Sequence, residues 1–168
     1  MIEGSSQSLD FKRNRLLDDQ LPPAIDIESN SSDPGTLEAL QGKLLVIDDQ
    51  VGVTKAINLV ASDLGLDVKV LTNPARAIDV FIGFRPDIVI LDIVMPEKDG
   101  IDVLNELLMT GIRTQMVLMT GFGAAFLRLA EGVAKFHGAG RVASLRKPFR
   151  RDELVATLQQ AAQAVRAK

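Results

Sequence analysis

Cysteine, tryptophan and tyrosine are missing from this 168-residue chain, and seven phenylalanines are its only aromatic side chains. Without a thiol there is no disulfide, no zinc-thiolate centre and no cysteine nucleophile. A reducing compartment is the simplest setting, so a cytoplasmic location is expected. With aromatics at 4% and apolar residues at 46%, the core has to be assembled from Val, Ile, Leu, Ala and Met, a palette that suits a helix-covered parallel sheet. No apolar run approaches the roughly 18 residues that crossing a membrane requires. The first residues lack the apolar centre of a signal peptide. A basic block is also absent: 19 Lys and Arg stand against 22 Asp and Glu, for a net charge of −3. Direct nucleic-acid binding therefore has no electrostatic footprint.

What is present divides in two. Residues 1–42 are rich in Ser, Asp, Asn, Pro and Gly, with turn-forming runs at Leu21-Pro22-Pro23 and Ser31-Ser32-Asp33-Pro34-Gly35. They read as an N-terminal extension, disordered in part or docked on the remainder. Two pieces, Leu9 to Asp19 and Thr36 to Gln41, have helical character but are too short to hold alone in water. Phe11, Leu16 and Leu17 are the sparse apolar anchors available for docking. Residues 43–168 have the length of one ordinary domain.

In that domain short apolar runs alternate with helical periodicity. Strands are expected at Leu44–Ile47, Val68–Leu71, Ile88–Leu91, Met116–Met119 and Val142–Leu145. Each is followed by apolar residues at helical spacing, for example Val53, Ile57, Val60 and Leu64, or Leu154, Leu158, Ala161 and Val165. Asn73 before Pro74 reads as a cap and a first-turn proline that fix the start of the second helix. Such alternation implies a parallel sheet with right-handed crossovers and helices on both faces. Ligands of such sheets bind outside the carboxyl ends of the strands.

Polar residues of particular kinds stand at those ends. Asp48 and Asp49 follow the first strand, Asp92 the third, Thr120 the fourth, and Lys147-Pro148 the fifth. Three carboxylates converging on one crevice repel one another unless a cation is bound or a proton is taken up. Mg²⁺, a hard cation with oxygen ligands, is the expected partner. With that charge offset, the Asp92 carboxylate is placed to attack phosphorus and form an aspartyl phosphate. Lys147 and Thr120 would meet the phosphoryl oxygens. Taken singly, each residue has a plainer reading, since an Asp at a strand end is usually a turn residue or a helix cap. Their coincidence at four strand ends favours the chemical reading. His137, the only histidine, reads as a solvated or capping residue near a helix end, Arg150-Arg151 as a solvated face, and Met95, Met116 and Met119 as core fillers. The glycines at 121, 123, 138 and 140 lack the Gly-Lys-Ser/Thr ending of a phosphate loop.

Four motifs, Leu-Val-Ile-Asp-Asp at 45–49, Ile-Leu-Asp-Ile-Val-Met-Pro-Glu-Lys-Asp-Gly at 90–100, Met-Thr-Gly at 119–121 and Arg-Lys-Pro-Phe at 146–149, give residues 43–166 their family likeness. The stretch resembles the receiver domain of bacterial two-component response regulators. The resemblance implies an α/β, flavodoxin-like, doubly wound sheet of five parallel strands in the order 2-1-3-4-5 with five helices. It implies Asp92 as phosphoacceptor, Asp49 and Asp92 as direct Mg²⁺ ligands, Asp48 acting through water, and the Val94 carbonyl as a further ligand. Thr120 and Lys147 become the pair that senses the phosphoryl group, and the Lys147–Pro148 bond is expected to be cis. The donor would be a histidine kinase or a histidine phosphotransfer protein. Output would pass to a downstream target protein through the face of helix 4, strand 5 and helix 5, which also offers a route to a homodimer. Such a chain is a phosphoacceptor and not an enzyme, beyond self-directed phosphotransfer and autodephosphorylation.

Two departures from the family pattern stand out. The position three before Lys147, usually Tyr or Phe, is Ser144, and Thr120 lies 27 positions before Lys147, a longer stretch than is common. Residues 133–149 look like receivers joined to cyclic-di-GMP phosphodiesterases, so a module derived from such a larger enzyme is the alternative. A Mg²⁺-dependent aspartyl phosphohydrolase would need a second Asp two positions after the nucleophile, where Val94 stands. Val94 and Phe122, two beyond Asp92 and Thr120, offer attacking water no polar guide, so slow self-dephosphorylation is expected. The last helical pattern runs almost to Lys168, and no output domain is expected after it.

Overall fold

The computed structural model describes residues 39–96, 98–121, 124–137 and 142–167, without the side chains of residues 124 and 126. The expectations for residues 1–38, for Phe122 and for the glycines at 123, 138 and 140 lie outside the described residues.

Five strands and five helices alternate: β1 (Lys43–Ile47), α1 (Val51–Asp63), β2 (Asp67–Leu71), α2 (Ala77–Phe84), β3 (Ile88–Asp92), α3 (Gly100–Met109), β4 (Gln115–Thr120), α4 (Ala124–Phe136), β5 (Ala143–Arg146) and α5 (Arg151–Arg166). All strand pairs are parallel, in the order β2-β1-β3-β4-β5. This is the doubly wound, flavodoxin-like arrangement that the resemblance implies, and the strand ends fall within a residue of those expected. The central strands β1, β3 and β4 are buried almost throughout, as a sheet covered on both faces requires. The edge strands β2 and β5 instead show polar residues to water, among them Lys69, Ser144 and Arg146, which discourages pairing with another sheet edge.

Strand alternation sorts the core into two halves. Leu44, Val46, Ile88, Ile90, Val117 and Met119 pack under α1 and α5, against Ile57, Leu154 and Leu158. Leu45, Ile47, Val89, Leu91 and Leu118 pack under α2, α3 and α4, against Phe81, Val103, Leu104 and Ala130. Each such buried Leu, Ile or Phe contributes about 1.5–3 kcal/mol relative to exposure. Phe81 is fully buried, and Met95, Met116 and Met119 are buried as fillers. Leu40, upstream of β1, already belongs to the α1–α5 half of the core, and its N–H donates to the Leu64 carbonyl at 2.6 Å.

One element starts differently from the sequence expectation. Asn73 does cap, its Oδ1 accepting from Ala75 N at 2.9 Å, but the turn it opens, Pro74–Arg76, is a 3₁₀ turn, and α2 proper begins at Ala77. His137 follows the last residue of α4, and its Nε2 lies 2.7 Å from Asn105 Oδ1 on α3. Among the described residues no helix is long and apolar enough to cross a membrane.

Candidate functional site

In this strand order the chain reverses its winding between β1 and β3, so the crevice outside their carboxyl ends is where a ligand site belongs. Apolar β1 carries the chain through the core and delivers Asp48 and Asp49 at its exit, while β3 ends on Asp92 itself. The three carboxylates each offer an oxygen within 4.8 Å of the others. Asp48 and Asp92 are buried, at 0% and 2% exposure, and Asp49 is half-buried.

Lys147, brought in just past β5, supplies the charge in this cluster. Its Nζ lies 2.6 Å from Asp92 Oδ2, as a hydrogen bond, and 2.6 Å from Asp48 Oδ2, as an ion pair without hydrogen-bond alignment. The other carboxylate oxygens are held by backbone: Asp48 Oδ1 accepts from Gln50 N at 2.8 Å and Asp92 Oδ1 from Val94 N at 3.0 Å. Lys147 is itself fixed by its N–H, which donates to the Thr120 carbonyl at 2.9 Å, and the Lys147–Pro148 bond is cis. Thr120 is buried at the end of β4, in register with Arg146 of β5.

Burial pushes the Asp48 carboxyl above its ordinary range, and the nearby ammonium and the Gln50 N–H only partly offset this. Burial works against the Lys147 ammonium too, but the carboxylates of Asp48 and Asp92 outweigh it and raise its pKa above the ordinary lysine value. The signs differ in consequence. The Lys147 contribution to stability is present up to the ordinary lysine range and lost as pH climbs through the raised value. The Asp48 cost is present above its raised value and vanishes at acid pH.

One lysine among three carboxylates leaves the cluster short of positive charge. Asp49 Oδ1 is buried with no hydrogen-bond partner. An orphaned carboxylate oxygen beside two others is a donor set that fits a hard divalent cation.

Sequence reasoning named Asp48, Asp49, Asp92 and Lys147, and the structure gathers all four, with Thr120 on the adjoining strand end and Val94 bonded to Asp92 through its N–H. It did not assign a part to Gly100. Asp99 caps α3, its Oδ1 accepting from Ile101 N at 2.8 Å, and so presses the first residue of the helix back onto β3. A Cβ on Gly100 would overlap the Asp92 carbonyl oxygen and stand 2.5 Å from Ile93 Cα. The Asp-Gly step at 99–100 was the available signal, but only the fold shows what lies against it. Ser144, where the resemblance implies an aromatic, is exposed on β5.

The family model of the response regulator receiver domain matches residues 44–159. The chain belongs to this receiver family. Among curated relatives, the regulatory protein AtoC of Escherichia coli (strain K12) is 31% identical over 121 residues, 72% of this chain and 25% of that protein. Sporulation initiation phosphotransferase F of Bacillus subtilis (strain 168) is 29% identical over 112 residues, 67% of this chain and 86% of that protein. The response regulator MprA of Mycobacterium sp. (strain KMS) is 32% identical over 116 residues, 69% of this chain and 48% of that protein. The chain thus spans a quarter of one relative, about half of another and most of a third. Among solved structures, the receiver domain of Francisella response regulator 1452 aligns with a TM-score of 0.62 at 26% identity, covering 76% of this chain and 99% of that one. The BeF3-activated receiver domain of RstA from Klebsiella pneumoniae gives 0.62 at 25% identity, covering 72% and 98%. The protein therefore carries a receiver domain of a two-component response regulator.

Proposed function

We propose that this receiver is a phosphoryl-accepting switch in which Asp92 is the phosphoacceptor. The observation that carries the reading is the Lys147 ammonium 2.6 Å from both Asp92 and Asp48, beside an Asp49 oxygen with no partner. An Asp92 carboxylate oxygen forms the new O–P bond, and the bond from phosphorus to the donor breaks with its electron pair leaving on the donor. That donor is the imidazole nitrogen of a histidine kinase or of a histidine phosphotransfer protein. Val94 N–H and Lys147 Nζ each hold one Asp92 oxygen, which orients the carboxylate before attack. Lys147, with the hydroxyl of Thr120, then meets charge on the phosphoryl oxygens. Asp48, Asp49, Asp92 and the Val94 carbonyl are the groups that would hold Mg²⁺, which when bound offsets the carboxylate charge facing an incoming anionic phosphoryl group. The chain acts in this reading as a phosphoacceptor in the cytoplasm, and passes its state to a downstream target protein by contact.

Incubation with a small acyl-phosphate donor and Mg²⁺, followed by intact mass, tests this. One phosphoryl group is expected on the wild type and none on Asp92→Asn. A gain that survives the substitution overturns the assignment.

Half-buried Val94, bonded to Asp92 by its own N–H, gives attacking water no polar side chain. Slow self-dephosphorylation is expected, with a lifetime well beyond seconds, and Val94→Asn should shorten it several-fold. Loss of the phosphoryl group within seconds from the wild type would contradict this.

A further inference from the structure

Between the end of β3 and the start of α3 the chain is held from several sides. Ile93 and Met95 are buried in the α2–α4 half of the core, and the Ile93 N–H donates to the Met119 carbonyl at 3.0 Å. The Val94 N–H holds Asp92 Oδ1, and Asp99 caps the helix. Lys98, the residue before that cap, adds a tie of another kind: its Nζ donates to Glu106 Oε2 at 2.6 Å. The pair reaches eight positions along the chain, past Asp99 and Asp102, which are nearer in sequence. With side chains 27% and 41% exposed, it is partly screened from water. Helix stability does not account for a cation at this place. The N-terminus of a helix carries partial positive charge and favours anions, so a lysine just outside it is unfavourable and Glu106 only offsets that. An exposed ion pair is in any case a weak stabiliser. What the pair does fix is geometry.

We propose that Lys98 is a positioning residue: drawn along α3 by Glu106, it sets the line on which the chain enters the helix, and so holds Val94 and the Asp92 carboxylate in place for a divalent cation. The influence travels by direct contact. A Cβ on Gly100 would overlap the Asp92 carbonyl oxygen, so the first residue of α3 lies backbone against backbone with the end of β3. A change in how α3 is entered is therefore felt at Asp92, and at Val94, whose N–H is bonded to the Asp92 carboxylate. Lys98 need not touch the cation for this, and no contact joins its side chain to the three carboxylates; its partner is Glu106. This role presupposes the reading of Asp48, Asp49, Asp92 and the Val94 carbonyl as the groups that hold Mg²⁺.

Charge alone and positioning predict different signs. Lys98→Met removes a positive charge and Glu106→Gln a negative one, so through charge alone the first would tighten Mg²⁺ binding and the second would weaken it. If the pair positions the site, both weaken it, by about two- to five-fold, the range that exposed ion pairs cover. Titration calorimetry of the full chain with magnesium chloride reads this. Lys98→Glu combined with Glu106→Lys is expected to return the wild-type affinity. Amide hydrogen exchange without Mg²⁺ reads the same event apart from the metal. Val94 and Ile101 should exchange about two- to five-fold faster in each single variant, and at the wild-type rate in the charge-exchanged one. Opposite shifts in Mg²⁺ affinity for the two single variants overturn the proposal. So do Val94 and Ile101 amides that exchange at the wild-type rate in both. A wild type that takes up no Mg²⁺ refutes the cation reading instead, and the amide rates then decide alone whether Lys98 holds the entry of α3.

Discussion

Gly100→Ala is expected to destabilise the domain by about 3 kcal/mol or more, the upper end of what forcing extra atoms into packed structure costs. The sign is informative, because the same substitution inside an ordinary helix stabilises by about 0.5–1 kcal/mol. Here the added methyl would meet backbone, the Asp92 carbonyl oxygen and Ile93 Cα, and not the far end of a flexible side chain. Relief therefore requires moving the start of α3, with its Asp99 cap, away from β3, which unseats the end of the strand that carries Asp92. Gly83→Ala in α2 is the matched control, since nothing lies within 4 Å of the Cβ it would gain. It is expected to be neutral or slightly stabilising. Denaturant titration of both variants checks this. A Gly100→Ala stability within about 0.5 kcal/mol of wild type, the range of an inconsequential surface change, would show that α3 does not press on β3 as described. On the proposed reading of Asp92 as phosphoacceptor, the folded fraction of Gly100→Ala is also expected to take a phosphoryl group more slowly, because that carboxylate is displaced.

The contrast between Gly100 and Asp92 indicates how much of this molecule its sequence makes legible. Asp92 announces itself because it follows Ile88-Val89-Ile90-Leu91, a short β-branched apolar run that reads as a buried parallel strand, so its side chain falls at a strand exit. Asp48, Asp49 and Thr120 are legible by the same rule, while Lys147, after the half-exposed edge strand β5, and the strand order follow from the family motifs. Gly100 stands in the motif at 90–100, but a close backbone approach leaves no mark on periodicity, so the Asp-Gly step alone does not tell what lies against it. The 3₁₀ turn at Pro74–Arg76 was invisible for a related reason. The sequence marks the cap, but whether the first turn winds tightly depends on how α2 settles against the sheet. Leu40 lies beyond the regular pattern, and it reaches the core through packing in the α1–α5 half and a backbone hydrogen bond to Leu64, both of which only the fold reveals. Ser144 was noticed as a departure, and its exposure on the edge strand shows that no ring is available there to follow Thr120 inward.

Lys147→Met, which keeps the length of the side chain and removes its charge, is expected to cost about 3–5 kcal/mol in the absence of divalent cations. That is the usual penalty when one member of a buried ion pair is deleted and the other is left charged. Here two carboxylates are left, Asp48 and Asp92, each 2.6 Å from the lost ammonium and nearly inaccessible to water. Such a loss is a large share of the about 5–15 kcal/mol that holds a domain folded. Two conditions should reduce it. Mg²⁺ replaces the missing positive charge if the three carboxylates are its ligands, and at about a hundred times its dissociation constant it would return about 2.7 kcal/mol. Acid is the other: burial already holds Asp48 above the ordinary carboxylate range, and without the ammonium its pKa rises further. The cost of keeping it charged is therefore full above the raised value and shrinks as pH falls through that value toward the unfolded one. The wild type, with Lys147 in place, should gain less from Mg²⁺ than the variant does, since part of the repulsion is already answered. Thermal melts of both proteins with Mg²⁺ and with a chelator decide the matter. If Mg²⁺ moves neither midpoint, the three carboxylates do not bind it, and the orphaned oxygen of Asp49 needs another explanation. If the variant is as stable as wild type in chelator, then Lys147 does not neutralise the cluster, and its 2.6 Å contacts describe proximity without stabilisation.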